Sequence, residues 1–309
     1  MNLLAINWNP SLGLDLGFFI IRYYSLMFVI AFVLGYQIMK HIFNHEKVAL
    51  EKLDKLLMYV VFATILGARL GHVFFYDWAY FSQHPEEILL PFRFRPTFEF
   101  TGFAGLASHG AAIGIITSLW YFSKKIMEKP LLYILDRVGI TVALAGLFIR
   151  LGNFINSEIV GKVVDKSFVF ATRFVRNSDD LPAYQAMQIT KAESVDKAYD
   201  MIVYKSQFLN VLEAIPYRHP SQLYEGLGYL GVFALLFYMY WKTDAAQKQG
   251  LLFGTFFALL WSVRFAVEFC KEAQVKERAE WALNTGQWLS IPLVLIGIYF
   301  IVKAKKKIV

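Results

Sequence analysis

The sequence predicts an all-α polytopic membrane protein of about seven transmembrane helices. Its N-terminus is expected outside and its C-terminus in the cytoplasm, with a small extracytoplasmic insertion between. Three observations carry this reading. Of 309 residues, 57% are hydrophobic and only 18% charged, with 29 Phe, 17 Tyr and 7 Trp, whereas soluble domains carry about 25% charged residues. With a mean hydropathy of +0.45, a soluble chain of this size has nowhere to hide its apolar surface. The apolar residues also gather in seven runs near the ~20-residue length that crosses a bilayer, and Lys and Arg fall unequally in the connections. Disordered, collagen-like and disulfide-rich classes are excluded.

The runs are expected at about 18–39, 56–76, 99–122, 131–152, 221–241, 250–270 and 284–302. The second is interrupted by Arg69. The third holds no Asp, Glu, Lys or Arg between Glu99 and Lys124. The fourth carries Asp136 and Arg137 near its start and Arg150 near its end. Alternate connections (40–55, 123–130, 242–249 and 303–309) hold 13 Lys and Arg, against 5 in 1–17, 77–97 and 271–283. The positive-inside rule puts the first set in the cytoplasm. The chain then divides into residues 1–156 with four spans, the extracytoplasmic insertion 157–220, and residues 221–309 with three spans and a basic tail. Within the insertion, Val163 to Val175 alternates as short strands do, and Gln188 to Asn210 reads as helical.

The net charge of +7 is scattered and is no nucleic-acid signature. Lys303, Lys305, Lys306 and Lys307 read as a cytosolic tail touching anionic lipid. The single cysteine, Cys270, excludes an intrachain disulfide and a cysteine-built metal site; it reads as small and buried. No cleavable signal peptide is expected.

Charged groups inside spans cost roughly 2.5–3.5 kcal/mol each at a helix centre, so their placement is informative. With the orientation above, Arg69, Arg150, Arg264 and Glu268 lie in the outer halves of outward-running spans. Tyr24, Glu99, His109, His219, Gln222, Glu225, Gln287 and Ser290 lie in the first halves of inward-running ones. The polar groups therefore converge on the outer half of the bilayer. Buried arginines ask for anions, because the guanidinium fork fits phosphate or carboxylate and keeps its charge. Arg264 and Glu268, four residues apart, are also spaced to neutralise each other. The residues alone admit an enzyme, a transporter or flippase for an anionic lipid, and a lipid-binding scaffold. A transporter would be expected to show an inverted repeat, and none is visible; a one-sided polar cavity suits a site that meets lipid in the outer leaflet.

Four runs concentrate the chemistry. Arg150 to Gly161 packs an Arg, Asn153, Asn156 and Glu158 around helix-ending glycines. Irregular backbone at that depth is tolerated where it lines a cavity or is covered by protein. Arg218-His219-Pro220-Ser221-Gln222-Leu223-Tyr224-Glu225 opens a helix with Gln222 and Glu225 on one face. Gly102 to Gly114 surrounds His109 with small residues that let other helices approach closely. Gly67-Ala68-Arg69-Leu70-Gly71-His72 flanks an Arg in the same way.

Together these runs resemble the prolipoprotein diacylglyceryl transferases of bacteria. The family's Arg-x-Gly-Asn-Phe-x-Asn-x-Glu-x-x-Gly signature is matched from Arg150 to Gly161, and its Arg-His-Pro-Ser-Gln-Leu-Tyr-Glu run by residues 218–225 without a change. Further matches are Gly67, Arg69 and Gly71; His109, Gly110 and Gly114; Arg264, Glu268 and Phe269; and Gly286, Gln287, Leu289, Ser290 and Pro292. The chain departs from the family at Ile149, Leu260 and Lys162, where Gly, Tyr and Arg are usual.

The resemblance implies a multi-pass protein of the bacterial cytoplasmic (inner) membrane with its site toward the outer leaflet. It implies transfer of diacylglyceryl from phosphatidylglycerol to the lipobox cysteine thiol of a preprolipoprotein signal peptide, giving a thioether and glycerol phosphate. The leaving phosphate calls for cations where its charge develops, for which Arg150 and Arg264 are the candidates. The thiol, with an ordinary pKa of about 8.5, needs a base; His109 suits the task, with His219 in reserve. Glu158, Asn153 and Asn156 are expected to hold the headgroup and Tyr24 to orient it. Arg69, Gly161, His219, Gln222, Glu225 and Glu268 complete the expected substrate-binding set. No metal or organic cofactor and no nucleic-acid partner is expected.

Overall fold

The computed structural model describes residues 5–17, 20–90, 92–94, 97–100, 105–272 and 283–306. The chain opens with strands β1 (Ile6–Trp8), β2 (Gly13–Asp15) and β3 (Ile20–Arg22), then helices α1 (Tyr23–His45), α2 (Leu50–Phe75) and α3 (Trp78–Phe81). Strands β4 (Phe92–Arg93) and β5 (Glu99–Phe100) precede α4 (Ser108–Phe122) and α5 (Leu131–Ile155). Strand β6 (Thr172–Phe174) leads into α6 (Ala183–Thr190), α7 (Val195–Tyr204) and α8 (Leu209–Ala214). Helix α9 (Ser221–Lys242), β7 (Lys248–Gln249), α10 (Leu251–Val267), α11 (Thr285–Lys303) and β8 (Lys305–Lys306) follow.

Six described helices are long and apolar enough to cross a membrane: α1, α2, α5, α9, α10 with the turn that extends it to Cys270, and α11. The protein is thus a mostly helical, multi-pass membrane protein. The third apolar run differs from the expectation. Its helix begins at Ser108 rather than near residue 99, and Glu99 lies in β5, paired with Arg93. Gly105 takes a left-handed φ of +75°, a conformation that interrupts a right-handed helix. Helix α4 has 15 residues, about 22 Å at 1.5 Å per residue, and continues as a π-helical turn over Ser123–Met127. The first run also starts late, because Ile20–Arg22 pair with Gly13–Asp15 as a hairpin before α1 begins.

Contacts divide the chain into two units, residues 36–137 and residues 1–35 with 138–309; α1 and α5 cross the division. In the unit of residues 36–137, α2 packs along α4 backbone to backbone. A Cβ on Gly110 would lie 2.2 Å from the Gly67 carbonyl oxygen, and one on Gly67 2.5 Å from the Gly110 oxygen. Lipid provides no hydrophobic drive between helices, so such close approach supplies the association. The arginine at the start of α5 is also accounted for. The Arg137 guanidinium lies 2.8 Å from Glu46 Oε1, and the Tyr133 hydroxyl donates to the same carboxylate.

In the unit of residues 1–35 and 138–309, α10 packs against both α9 and α11. Helix α11 begins with a capping box formed by Asn284 and Gln287, which satisfies two helix-end donors. The 157–220 segment has its own apolar core, with Val175, Leu181, Ala186, Ala198, Tyr199, Ile202, Leu212 and Ile215 buried together. One strand forms in its alternating stretch: β6, parallel to β1, with Trp8 opposite Phe174. Its helical stretch is broken between α6 and α7 at Lys191, where φ is +52°. Cys270 is half-buried, not fully buried as its run suggested. Lys305 and Lys306 of the basic tail pair with Gln249 and Lys248, and Lys307 lies outside the described residues.

The α2–α4 contact gives a direct test. Gly110→Val should cost about 1–3 kcal/mol through overpacking, read as a lower thermal unfolding midpoint in detergent. The exposed Ile113→Val, one turn on, should leave the midpoint unchanged.

Candidate functional site

The signature run places its polar side chains by ending a helix abruptly. Arg150 and Asn153 occupy the last turns of α5. Ser157 and Ile159 then both take φ of +56°, and the chain folds back so that Glu158 faces the helix end. The Asn153 amide donates to Glu158 Oε1 at 2.7 Å and the Asn156 amide at 3.4 Å. Arg150 Nη1 donates to Asn153 Oδ1 at 3.1 Å. The Tyr24 ring lies over Gly152, where a Cβ would come within 2.7 Å of it.

Gly161 ends the run where three segments converge. Its N–H donates to the His219 carbonyl, and the next N–H, of Lys162, donates to the Cys270 carbonyl. A Cβ on Gly161 would lie 2.6 Å from His219 and 2.7 Å from the Cys270 oxygen, so no side chain fits. The 218–225 run locks onto this turn from the other side. Ser221 Oγ donates to the Ile159 carbonyl at 3.0 Å and the Gln222 amide to the Glu158 carbonyl at 2.8 Å. Arg218 is held by Asp180 (2.6 Å) and Glu272 (2.7 Å). His219 Nδ1 lies 3.3 Å from the Tyr224 hydroxyl, and its ring meets Phe168 edge-on. Burial and the neighbouring Lys162 charge push the His219 pKa below its ordinary value.

Glu225, one turn into α9, is 0% exposed. Its carboxylate lies 2.8 Å from Arg150 Nη2 and 2.7 Å from Lys271 Nζ, and accepts from the Tyr229 hydroxyl at 2.5 Å. Glu268, at the end of α10, lies 2.9 Å from the same Lys271 ammonium and accepts from the Asn284 amide at 3.1 Å. A Cβ on Gly286 would sit 2.6 Å from the Glu268 carboxyl carbon. Arg264 stands 3.7 Å from Glu225 and 3.8 Å from Glu268, with its side chain 28% exposed. Those are ion-pair distances without a hydrogen bond. Three cations thus share two carboxylates, and the excess positive charge faces outward at Arg264. Three buried atoms of the cluster, Arg150 Nε, Gln222 Oε1 and Glu225 Oε2, have no hydrogen-bond partner among the described residues, although the last lies at ion-pair distance from Lys271.

The structure therefore brings together Tyr24, Arg150, Asn153, Asn156, Glu158, Gly161, His219, Gln222, Glu225, Arg264 and Glu268 within one unit. Arg69 and His109 belong to the other. Arg69 is buried, donates from Nε to the Ile88 carbonyl and from Nη2 to the Glu87 carbonyl, both at 2.7 Å, and lies over the Phe81 ring. Its fork holds the 85–88 turn. His109, the second residue of α4, is exposed. The motifs did not single out Lys271 or Tyr229. Tyr229 follows Glu225 by four residues on the same helix face, which is a usable signal. Lys271 reads as one more loop cation, and only the backbone bridge it forms with Gly161 turns it inward.

The family model for prolipoprotein diacylglyceryl transferase matches residues 12–303. The phosphatidylglycerol–prolipoprotein diacylglyceryl transferase of Bacteroides fragilis is 36% identical over 99% of this chain and 97% of its own length. Proteins of the same name from Tolumonas auensis and Chloroherpeton thalassium are 35% and 34% identical, over 97% and 98% of this chain and 98% and 95% of theirs. With nearly its whole length so matched, the chain belongs to the prolipoprotein diacylglyceryl transferase family, the transferases of lipoprotein maturation.

Proposed function

We propose that this transferase moves the diacylglyceryl group of phosphatidylglycerol onto the lipobox cysteine thiol of a preprolipoprotein signal peptide. The observation that carries the reading is Arg264: a cation in a helix, half-exposed, at ion-pair distance from two carboxylates that Lys271 approaches more closely. Such a group can turn its fork to a phosphate without first breaking a hydrogen bond to either carboxylate. An apolar groove of about 250 Å³, lined by Ser262, Phe265, Ile291, Val294 and Leu295, lies next to it in sequence on α10 and across on α11. It offers room for part of an acyl chain.

The roles follow from the chemistry. The sulfur attacks the glyceryl carbon that bears the phosphate ester. The C–S bond forms as the C–O bond breaks, and the electron pair leaves on the phosphate oxygen, giving glycerol phosphate. Arg264 meets that developing charge. Arg150, fixed by Glu225 and Asn153, supports it from within the cluster, with its unpartnered Nε as a further donor. His109 takes the thiol proton. Gln222 Oε1, Asn153, Asn156 and Glu158 engage the glycerol headgroup, with Tyr24 orienting it and His219 as the reserve base. Arg69 acts through the turn it holds. Lys271 and Tyr229 join Glu225 and Glu268 in maintaining the cluster. Helix α4 with its π-turn is the seventh crossing. The N-terminus and residues 157–220 lie outside the bacterial cytoplasmic membrane, and the site faces the outer leaflet.

Purified protein, phosphatidylglycerol vesicles and a lipobox peptide test the reading: the peptide should gain the mass of one diacylglyceryl unit. Headgroup movement without that gain would mean transport instead. His109→Gln should lower kcat by about 10²–10⁴-fold, and Arg264→Ala by about 10²–10³-fold. Near wild-type turnover in either would remove that residue from its role. His219 supplies a pH test. Its depressed pKa means that stability falls as pH drops below about 6.5, where the unfolded chain takes up a proton first. Lys162→Gln, by removing a positive charge, should raise the pKa of His219, read from its imidazole resonances by NMR titration.

A further inference from the structure

We propose that Lys271 is a positioning residue for the transfer: it occupies Glu225 and Glu268 so that neither closes onto Arg264. The inference rests on the role given to Arg264 above. Lys271 is 2% exposed, an unusual place for an ammonium unless it is paired. Backbone geometry delivers it there. Its N–H closes the turn from Glu268, and it forms an antiparallel bridge with Gly161, while Cys270 accepts from Lys162. The side chain is thereby sent into the cluster, with Nζ 2.7 Å from Glu225 and 2.9 Å from Glu268. A cation at this place stands between the two carboxylates and engages both.

The consequence falls on Arg264. Glu268 is one helical turn away, in a spacing that favours a closed pair, yet the two stand 3.8 Å apart without a hydrogen bond. Glu225, the other available acid, is taken by Arg150, Tyr229 and Lys271. Without the ammonium, Glu268 would have Arg264 as its nearest cation. A phosphate would then have to displace a carboxylate from the guanidinium before binding.

The test reads Arg264 directly. The full-length protein in detergent is treated with phenylglyoxal, which modifies accessible guanidinium groups, and labelling at Arg264 is followed by peptide mass. Lys271→Met should slow labelling at Arg264 by about tenfold or more, and Lys271→Arg should hold it near the wild-type rate. In the transfer assay, Lys271→Met should raise KM for phosphatidylglycerol more than it lowers kcat. A merely structural role predicts the opposite at Arg264, because a loosened fold exposes the guanidinium and speeds labelling. Labelling at the wild-type rate or faster in Lys271→Met overturns the proposal, as does an Arg variant as slow as the Met variant. Labelling needs no lipid substrate. If wild-type protein adds no diacylglyceryl unit to the peptide, the functional reading fails on its own while labelling still judges Lys271.

Discussion

A carboxylate with no exposure to solvent, that of Glu225, sets the terms for the elements around it. Burying an ion costs several kcal/mol even after relaxation, and the cost is offset only when opposite charges and hydrogen bonds meet it in good geometry. Here they arrive from three places. Arg150 comes from the end of α5, Tyr229 from the next turn of α9, and Lys271 from the segment after α10. The carboxylate therefore fixes the register of these segments as well as their proximity. Glu268 repeats the arrangement on a smaller scale, with Lys271 and Asn284 as partners.

Missing side chains make this convergence possible. At Gly161, three stretches of chain come so close that a Cβ has no room. At Gly286 the same holds for the Glu268 carboxylate, and at Gly152 for the Tyr24 ring. In lipid, helices gain little from apolar contact with each other and depend on close packing and polar pairing. Glycines next to the charged residues serve both ends: they shorten the approach and they admit the partner.

The membrane class and most helix positions were legible in the chain, because apolar length is a property that can be read one residue at a time. Observed α5, α9 and α11 begin within a residue or so of the expected positions. The third run shows where that logic stops. From Glu99 onward it contains no charge to mark a boundary, so hydropathy extends the helix to the end of the apolar stretch. The backbone decides otherwise, with β5 at Glu99–Phe100 and a left-handed Gly105 before α4 begins. Conformation at a glycine is not a hydropathy signal. At Arg69 the sequence shows an arginine among small residues in a span, and only the fold shows that it donates to backbone carbonyls of a turn some 20 residues on in the chain.

By itself, the sequence determined that this is a multi-pass membrane protein, where its basic connections lie, and which runs carry the polar residues of a lipid-processing family. Those are questions of residue identity and spacing. Only the tertiary structure decided who pairs with whom. Arg264 and Glu268 have the spacing of an ion pair, and Lys271 has the look of a loop cation, yet the ammonium comes to 2.9 Å of the carboxylate and the guanidinium only to 3.8 Å. The physical reason is that partners within reach of a buried charge are set by three-dimensional distance. Here that distance is controlled by a backbone bridge from Lys271 to Gly161, 110 residues earlier in the chain.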